Sequence, residues 1–274
     1  MYNLLKIEWM KVKSYRAFIV LSSFFVIGVF LANYISFLVN KNIINKVNTA
    51  GLVSSFSPYN FSHTWQTTSY VTGFLLILPA LLIIILVTNE YTYRTVRQNI
   101  IDGWSRAEFI NVKLLIAFLV TIISTLLVFL TAFGFGLASG SDFSMDGFSH
   151  VGFFFMKSLS YNLIAVLISV LIKRTGFAIG LYFIYLGTEN IISQLLDVWS
   201  LKLRRDNNID LGSMGDYLPM NASDGLLTFP DNPLKQIAKS NLPTDYFYVV
   251  VSLAVIYILL FIFFSRQKFL NADL

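Results

Sequence analysis

Residues 70–89 read YVTGFLLILPALLIIILVTN, twenty consecutive positions without a charged side chain. Crossing roughly 30 Å of hydrocarbon takes about 20 residues at 1.5 Å each, so this stretch is long enough to cross a bilayer as one helix. Five further blocks approach the same length, at residues 17–39, 114–138, 153–172, 176–196 and 246–265, with Lys157 interrupting the fourth. Over all 274 residues, 56% are hydrophobic and only 13% charged, and mean hydropathy is +0.68. A water-soluble domain carries about twice that share of charge. The expectation is an all-α polytopic membrane protein, one transmembrane domain over 1–274 with six transmembrane helices. The first block is too long for a signal h-region and ends without a small-residue cleavage site, so it is expected to persist as a helix.

Charge sorts the connections into two sets. Lys and Arg number twelve in roughly 52 residues on one side, and eight in roughly 98 on the other, which by the positive-inside bias places both termini in the cytoplasm. The net charge of +5 thus reflects topology and not nucleic-acid binding. Trp65, Trp104 and Trp199 fall near predicted span ends, where amphipathic rings prefer to sit. Ahead of the first span, Leu5, Trp9 and Val12 recur at i, i+4 and i+7 between Lys6, Glu8 and Lys13. That spacing predicts a short amphipathic helix on the membrane surface, with simple continuation of the first span as the alternative.

Directly after the opening stretch, residues 90–113 read EYTYRTVRQNIIDGWSRAEFINVK. Thr92 to Ile101 can form about three helical turns. Asp102 and Gly103 supply a stop, and Ser105 with Glu108 forms an S-x-x-E capping box that opens the next helix. A short, capped polar helix between two spans transmits displacement in a way that a loose loop cannot.

The pattern of Glu90, Thr95, Arg97, Gly103, Ser105, Arg106, Phe109 and Lys113 resembles the ABC-2-type permease family, the membrane subunits of many bacterial ABC exporters. The basic N-terminus, the six-span plan and the run Tyr217-Leu218-Pro219-Met220-Asn221 fit the same resemblance. It implies that the 90–113 segment is a coupling helix docking on a separate ABC ATPase. Arg94, Thr95, Arg97, Ser105 and Arg106 would then face that ATPase, with Glu90 at the hinge into the second span. ATP and Mg would be bound by the partner, this chain holding no cofactor. A second permease copy, as homodimer or related heterodimer, would complete the assembly in the bacterial inner membrane, in contact with lipid. Anchoring of lipid phosphates is the competing role for these arginines.

Charges at bilayer depth are costly and tend to be paired or functional. Lys157 lies 15 residues before Ile172 and Glu189 lies 13 beyond Gly176. Both therefore sit roughly 20 to 23 Å from the Lys173-Arg174 turn, on antiparallel neighbours. This predicts a pair between Lys157 and Glu189, with Asn190 nearby. A structural brace, a snorkelling Lys157 and a substrate-facing Glu189 are the roles open to it. Thr121, Ser124, Thr125, Thr131, Ser160 and Ser169 read as interhelical or back-bonded hydroxyls, and Pro79 as a kink.

The one long hydrophilic stretch, Asp197 to Asp245, carries seven Asp against five Lys and Arg. Pro219 and Pro230 bound an apolar run for which the resemblance implies a re-entrant pair of short helices closing the outer end of an exit path. A surface loop is the alternative.

Catalytic chemistry is missing from the sequence. There is no cysteine, His63 and His150 are the only histidines, and H-E-x-x-H, Walker A, Rossmann and G-x-S-x-G motifs do not occur. An ATP-driven permease is therefore weighed against an ion-coupled secondary transporter, for which several intramembrane acids and inverted repeats are expected, and against a non-transporting scaffold.

Overall fold

The structure, a computed structural model, describes residues 2–48, 59–207, 211–230 and 246–272. Of the charges counted above, Asp210, Asp231, Lys235, Lys239 and Asp245 lie outside these residues, and Lys41 and Lys46 are described in backbone only. Among the described residues there are helices and turns and no strand. The order is α1 (Tyr2–Val12), α2 (Arg16–Asn48), α3 (Phe61–Gly73), α4 (Ile77–Thr92), α5 (Thr95–Ile101), α6 (Arg106–Ala138), α7 (Ser149–Ile172), α8 (Thr175–Asn207), α9 (Asn221–Asp224) and α10 (Tyr246–Leu270).

Among the described residues, five helical stretches are long and apolar enough to cross a membrane: Arg16–Val39, Phe61–Thr92, Arg106–Ala138, Ser149–Ile172 and Tyr246–Leu270. The predicted fifth span is fully helical within α8, but Thr188, Glu189, Asn190, Ser193 and Gln194 interrupt its apolar character. The second stretch begins nine residues earlier than hydropathy suggested, because α3 is a polar, Thr-rich helix buried by its neighbours. Pro79 has no N–H for the Leu75 carbonyl, and a 3₁₀ turn at Phe74–Leu76 joins α3 to α4 just before it.

α7 is the central helix: 72% of its most apolar window is buried, against 17% for α2 and for α10, which present their side chains outward. It packs on α4, α6, α8 and α10. Between apolar helices in lipid there is little hydrophobic drive, and close packing with interhelical hydrogen bonds takes its place. Asn162 donates to Thr121 at 2.9 Å, joining α7 to α6. Asn33 donates to Thr72 at 3.1 Å, joining α2 to α3, and the Thr88 and Thr175 hydroxyls meet at 2.8 Å between α4 and α8. Each such bond contributes about 0.6 kcal/mol, up to about 1.7. The hydroxyls of Thr121, Thr125, Thr131 and Ser169 also bond back to their own helices, as expected.

α6 approaches α3 closely at Gly136, where a Cβ would lie 2.6 Å from the Phe61 ring. Trp65 is not an interfacial anchor. It is 1% exposed, and its indole donates to the Ser144 carbonyl at 2.9 Å in an aromatic cluster with Phe61, Phe129 and Phe148.

Candidate functional site

Two polar constellations stand at opposite ends of the bundle. At the basic end, α1, α5, the α7–α8 turn and the last turn of α10 come together. α1 is a separate helix, divided from α2 by the turn at residues 13–15. Glu8 and Val12 turn inward, at 4% and 8% exposure, while Trp9 is 58% exposed and meets Phe18 edge-on.

The reason Glu8 is buried lies in two other helices. Lys113 of α6 reaches Glu8 at 2.6 Å and Glu90 of α4 at 3.1 Å, and Lys11 lies 3.0 Å from each carboxylate. Two acids and two ammoniums alternate in a ring of zero net charge. Its members Glu8, Glu90 and Lys113 are 6% exposed or less. Thr95 of α5 donates its hydroxyl to the Glu90 carboxylate and to the Glu90 carbonyl. Burial works to lower the Lys11 pKa, but the Glu8 and Glu90 carboxylates outweigh it and hold that pKa above the ordinary lysine value.

Thr95, assigned by the resemblance to the partner-facing set, thus points back into the permease fold. The predicted helix over Thr92–Ile101 is also split. α4 ends at Thr92, Arg94 adopts a left-handed backbone at φ 58°, and α5 starts at Thr95. α5 ends as expected: the Gly103 N–H bonds the Ile100 carbonyl and the Trp104 N–H the Asn99 carbonyl, with Gly103 at φ 102°. This is a Schellman stop, for which a glycine at the left-handed position is suited. The capping box is complete. Glu108 N–H donates to the Ser105 hydroxyl, and Ser105 N–H donates to the Glu108 carboxylate at 2.9 Å. Arg106, exposed as the partner-facing expectation requires, donates to the Leu270 and Ala272 carbonyls at 3.1 and 3.2 Å, tying the end of α10 to the start of α6.

Arg94, Arg97, Gln98 and Ile101 remain exposed on α5, and Ile101 at its tip is 84% exposed. Arg94 and Arg97 border a cavity of about 510 Å³ together with Lys173 and Arg174.

At the opposite end, Lys157 does not pair with Glu189. Its ammonium lies 3.3 Å from Asp224 of α9, beside the Tyr161 ring at 5.6 Å, and Tyr161 also donates to Asp224 at 3.0 Å. Gly73 leaves room for it, since a Cβ there would lie 3.2 Å from the Lys157 nitrogen. Glu189 accepts the backbone N–H groups of Met220 and Asn221 at 2.5 and 3.0 Å, the first donors of α9. Asn190 is exposed and accepts from Gln194 at 2.8 Å, away from both. Helical arithmetic does not decide the partner of either residue. The chain segment 211–230 inserts between them and takes each as a ligand of its own backbone or side chain.

That segment carries a 3₁₀ turn at Met214–Tyr217 and the one-turn helix α9, with Met220, Ala222, Ser223, Leu226 and Leu227 buried. Gln66 of α3 donates to the Thr228 carbonyl at 2.9 Å, Tyr257 of α10 to the Tyr217 carbonyl at 2.8 Å, and the Gly215 N–H donates to Asp197 of α8 at 2.8 Å. Burial pushes the Asp216 carboxyl up from its ordinary value, against the hydrogen bond that Tyr246 donates to it. Hydrogen bonds to α3, α7, α8 and α10 thus hold this segment, the plug, in place.

The family described as ABC-2 family transporter protein matches residues 4–188. The chain belongs to the ABC-2 transporter family. No curated protein matches it significantly. As an ABC-2 permease it is a multi-pass membrane protein of transport, and membership implies an ABC ATPase as partner in general. The match contains the whole Glu8–Lys11–Glu90–Lys113 ring and ends one residue before Glu189, so the plug and α10 lie beyond it. Among the described residues no group of three or more His, Cys, Asp or Glu is arranged to hold a metal ion.

Proposed function

We propose that this chain is the permease subunit of an ATP-driven exporter, with a separate ABC ATPase docking on the 90–113 segment at the cytoplasmic face. The observation carrying the proposal is the contrast within α5. Its root is tied through Thr95 to Glu90 and so to α1, α4 and α6, while Ile101 at its tip is 84% exposed in a polar setting. An exposed apolar tip on a braced helix is suited to fill a pocket on a moving partner, and the brace passes the movement to two membrane helices. Arg94, Arg97 and the Gly103 turn flank the tip, and Ser105 fixes the direction of α6.

In this reading α8 is a sixth crossing, with Glu189 and Asp197 turned to the 211–230 segment. Both termini are cytoplasmic, in line with the charge asymmetry, and the 211–230 segment is a re-entrant closure at the outer end. Two permease copies, identical or related, form the path in the bacterial inner membrane. Lys157 and Glu189 act by holding the closure.

Coexpression with the cognate ABC ATPase tests the docking. Ile101→Glu is expected to abolish copurification and permease-stimulated ATP hydrolysis while leaving the thermal midpoint of the isolated permease unchanged. Unchanged copurification with this variant would place the docking surface elsewhere.

A further inference from the structure

α1 carries Leu5, Trp9 and Val12 on one apolar stripe, and this stripe does not close against the bundle. Trp9 and Val12, Phe18 near the start of α2, Leu82 of α4, and Leu119 and Val120 of α6 line a groove of about 260 Å³. Its rim is open, since Trp9 on one side and Ile123 of α6 on the other are 58% and 66% exposed. Glu8 is the one charged residue among the described residues lining it, and its carboxylate is held by Lys113 and Lys11. Walls of this composition favour an apolar occupant over water.

Position and charge identify that occupant. Leu82 lies eight residues before Glu90 and Leu119 six after Lys113, roughly 12 and 9 Å along their helices from the buried ring. Both belong to stretches long and apolar enough to cross a membrane, so the groove lies at hydrocarbon depth just inside the basic end. Around it α1 brings positive charge. Lys6, Lys11, Lys13 and Arg16 fall within eleven residues, and Glu8 is the single acid among residues 1–16. Lys11 is engaged in the ring, while Lys6, Lys13 and Arg16 are exposed. Four cations on an amphipathic helix attract anionic lipid.

A molecule with an apolar tail and an anionic head meets both requirements, whereas a soluble anion meets only the second. We propose that the groove between α1, α4 and α6 binds an acyl chain of an anionic membrane phospholipid, whose headgroup is held by Lys6, Lys13 and Arg16. Glu8 and Val12 line the groove on α1, and Glu8 is bonded to Lys113 of α6. A bound chain therefore holds α1 where it completes the ring, and lipid occupancy supports the brace of α5. From the proposed function this takes only the placement of the basic end at a membrane surface, and it is independent of ATPase docking at Ile101.

The test uses the full chain in phosphatidylcholine bilayers containing a small fraction of phosphatidylglycerol with a photoactivatable diazirine in its acyl chain. After illumination, adducts are mapped by mass spectrometry of peptides. They should concentrate on Trp9, Leu82, Leu119 and Ile123, far above Leu259 and Phe263, which are exposed on α10. Leu119→Trp fills the groove and should abolish this labelling while leaving that of α10 unchanged. Lys6→Gln with Lys13→Gln alters no lining residue and should weaken groove labelling roughly 25-fold, about five-fold for each cation removed. Ile101→Glu should keep full groove labelling, so that loss of ATPase docking and loss of lipid are read separately. Labelling spread evenly over the outward faces of α2, α6 and α10 would overturn the site. Equal groove labelling by phosphatidylcholine carrying the same diazirine, or undiminished labelling in the Lys6→Gln, Lys13→Gln variant, would overturn the anionic headgroup. Crosslinks from Trp9 to a second copy of the chain in place of lipid adducts would give the groove to a protein interface and overturn the proposal.

Discussion

Replacing Lys113 by Met removes one charge from a buried ring of four. Its ammonium lies 2.6 Å from Glu8 and 3.1 Å from Glu90 and is 2% exposed. At an effective dielectric constant of about 20, each contact is worth roughly 5 to 6 kcal/mol of gross attraction. Most of this is cancelled by the cost of taking the charges out of water. The net consequence of orphaning a buried partner is about 3–5 kcal/mol. Lys113→Met leaves two buried carboxylates sharing Lys11, which is a third exposed and contributes about 1 kcal/mol at most. The variant should lower the thermal midpoint of the purified permease by roughly 6 to 10 °C. Adding Glu90→Gln removes one charge of the opposite sign, leaving the neutral Glu8–Lys11 pair. The double variant should recover part of the loss, with a coupling energy of about 2 kcal/mol in the double-mutant cycle. A midpoint for Lys113→Met within about 1 °C of the parent, or strictly additive single effects, would show that these charges are not a coupled buried unit and would remove the proposed brace of α5.

Glu189→Gln keeps an oxygen for the Met220 and Asn221 N–H groups and should leave the plug in place, whereas Glu189→Leu orphans both donors and should cost about 2–4 kcal/mol. Limited proteolysis within 211–230 distinguishes the two, and equal protection in both variants would refute the capping role. Gly136→Val drives a side chain against the Phe61 ring, with a Cβ contact of 2.6 Å, and should destabilise by about 1–3 kcal/mol. The loss should be partly recovered by Phe61→Leu in a thermal-shift assay, and no recovery would mean that the damage arises elsewhere. Lys11 has a folded pKa raised above its ordinary value, so its contribution is complete below the ordinary lysine range and is lost as pH rises through the higher folded value. Between pH 6 and 9 the stability difference between the parent and Lys11→Met should therefore stay constant, then shrink in strongly alkaline solution. A difference that changed between pH 6 and 9 would contradict the sign of the shift.

Local patterns were legible wherever the decisive interaction lay within a few residues. The Ser105–Glu108 box and the Gly103 stop were visible in sequence because both partners of each hydrogen bond lie within five positions. The long apolar blocks were legible for the same reason, length and composition being properties of a continuous stretch. The contacts of Thr95 and Arg106 were not legible: Glu90 is only five positions from Thr95, but its place in the interior depends on other helices, and the partners of Arg106 are remote. Arg106 meets carbonyls 164 and 166 residues away, and Thr95 meets a carboxylate whose orientation is set by Lys113. Glu8 gave a weak signal, an acid on the inward side of an otherwise apolar stripe.

The sequence by itself determined that this is a helical chain built for lipid, that it carries no metal-ligating cysteine or nucleotide motif, and that a stopped and recapped polar helix follows the second span. The tertiary structure decided the pairing of the charges. Distance along a helix bounds how far a side chain lies from the turn, which is all that the sequence says about Lys157 and Glu189. Only packing decides what occupies the space between two helices, and there the 211–230 segment supplies Asp224 for one and two backbone N–H groups for the other. In the same way α1, α4 and α6 each bring charges whose burial no single helix can support, and which become compatible with the interior only when the three meet.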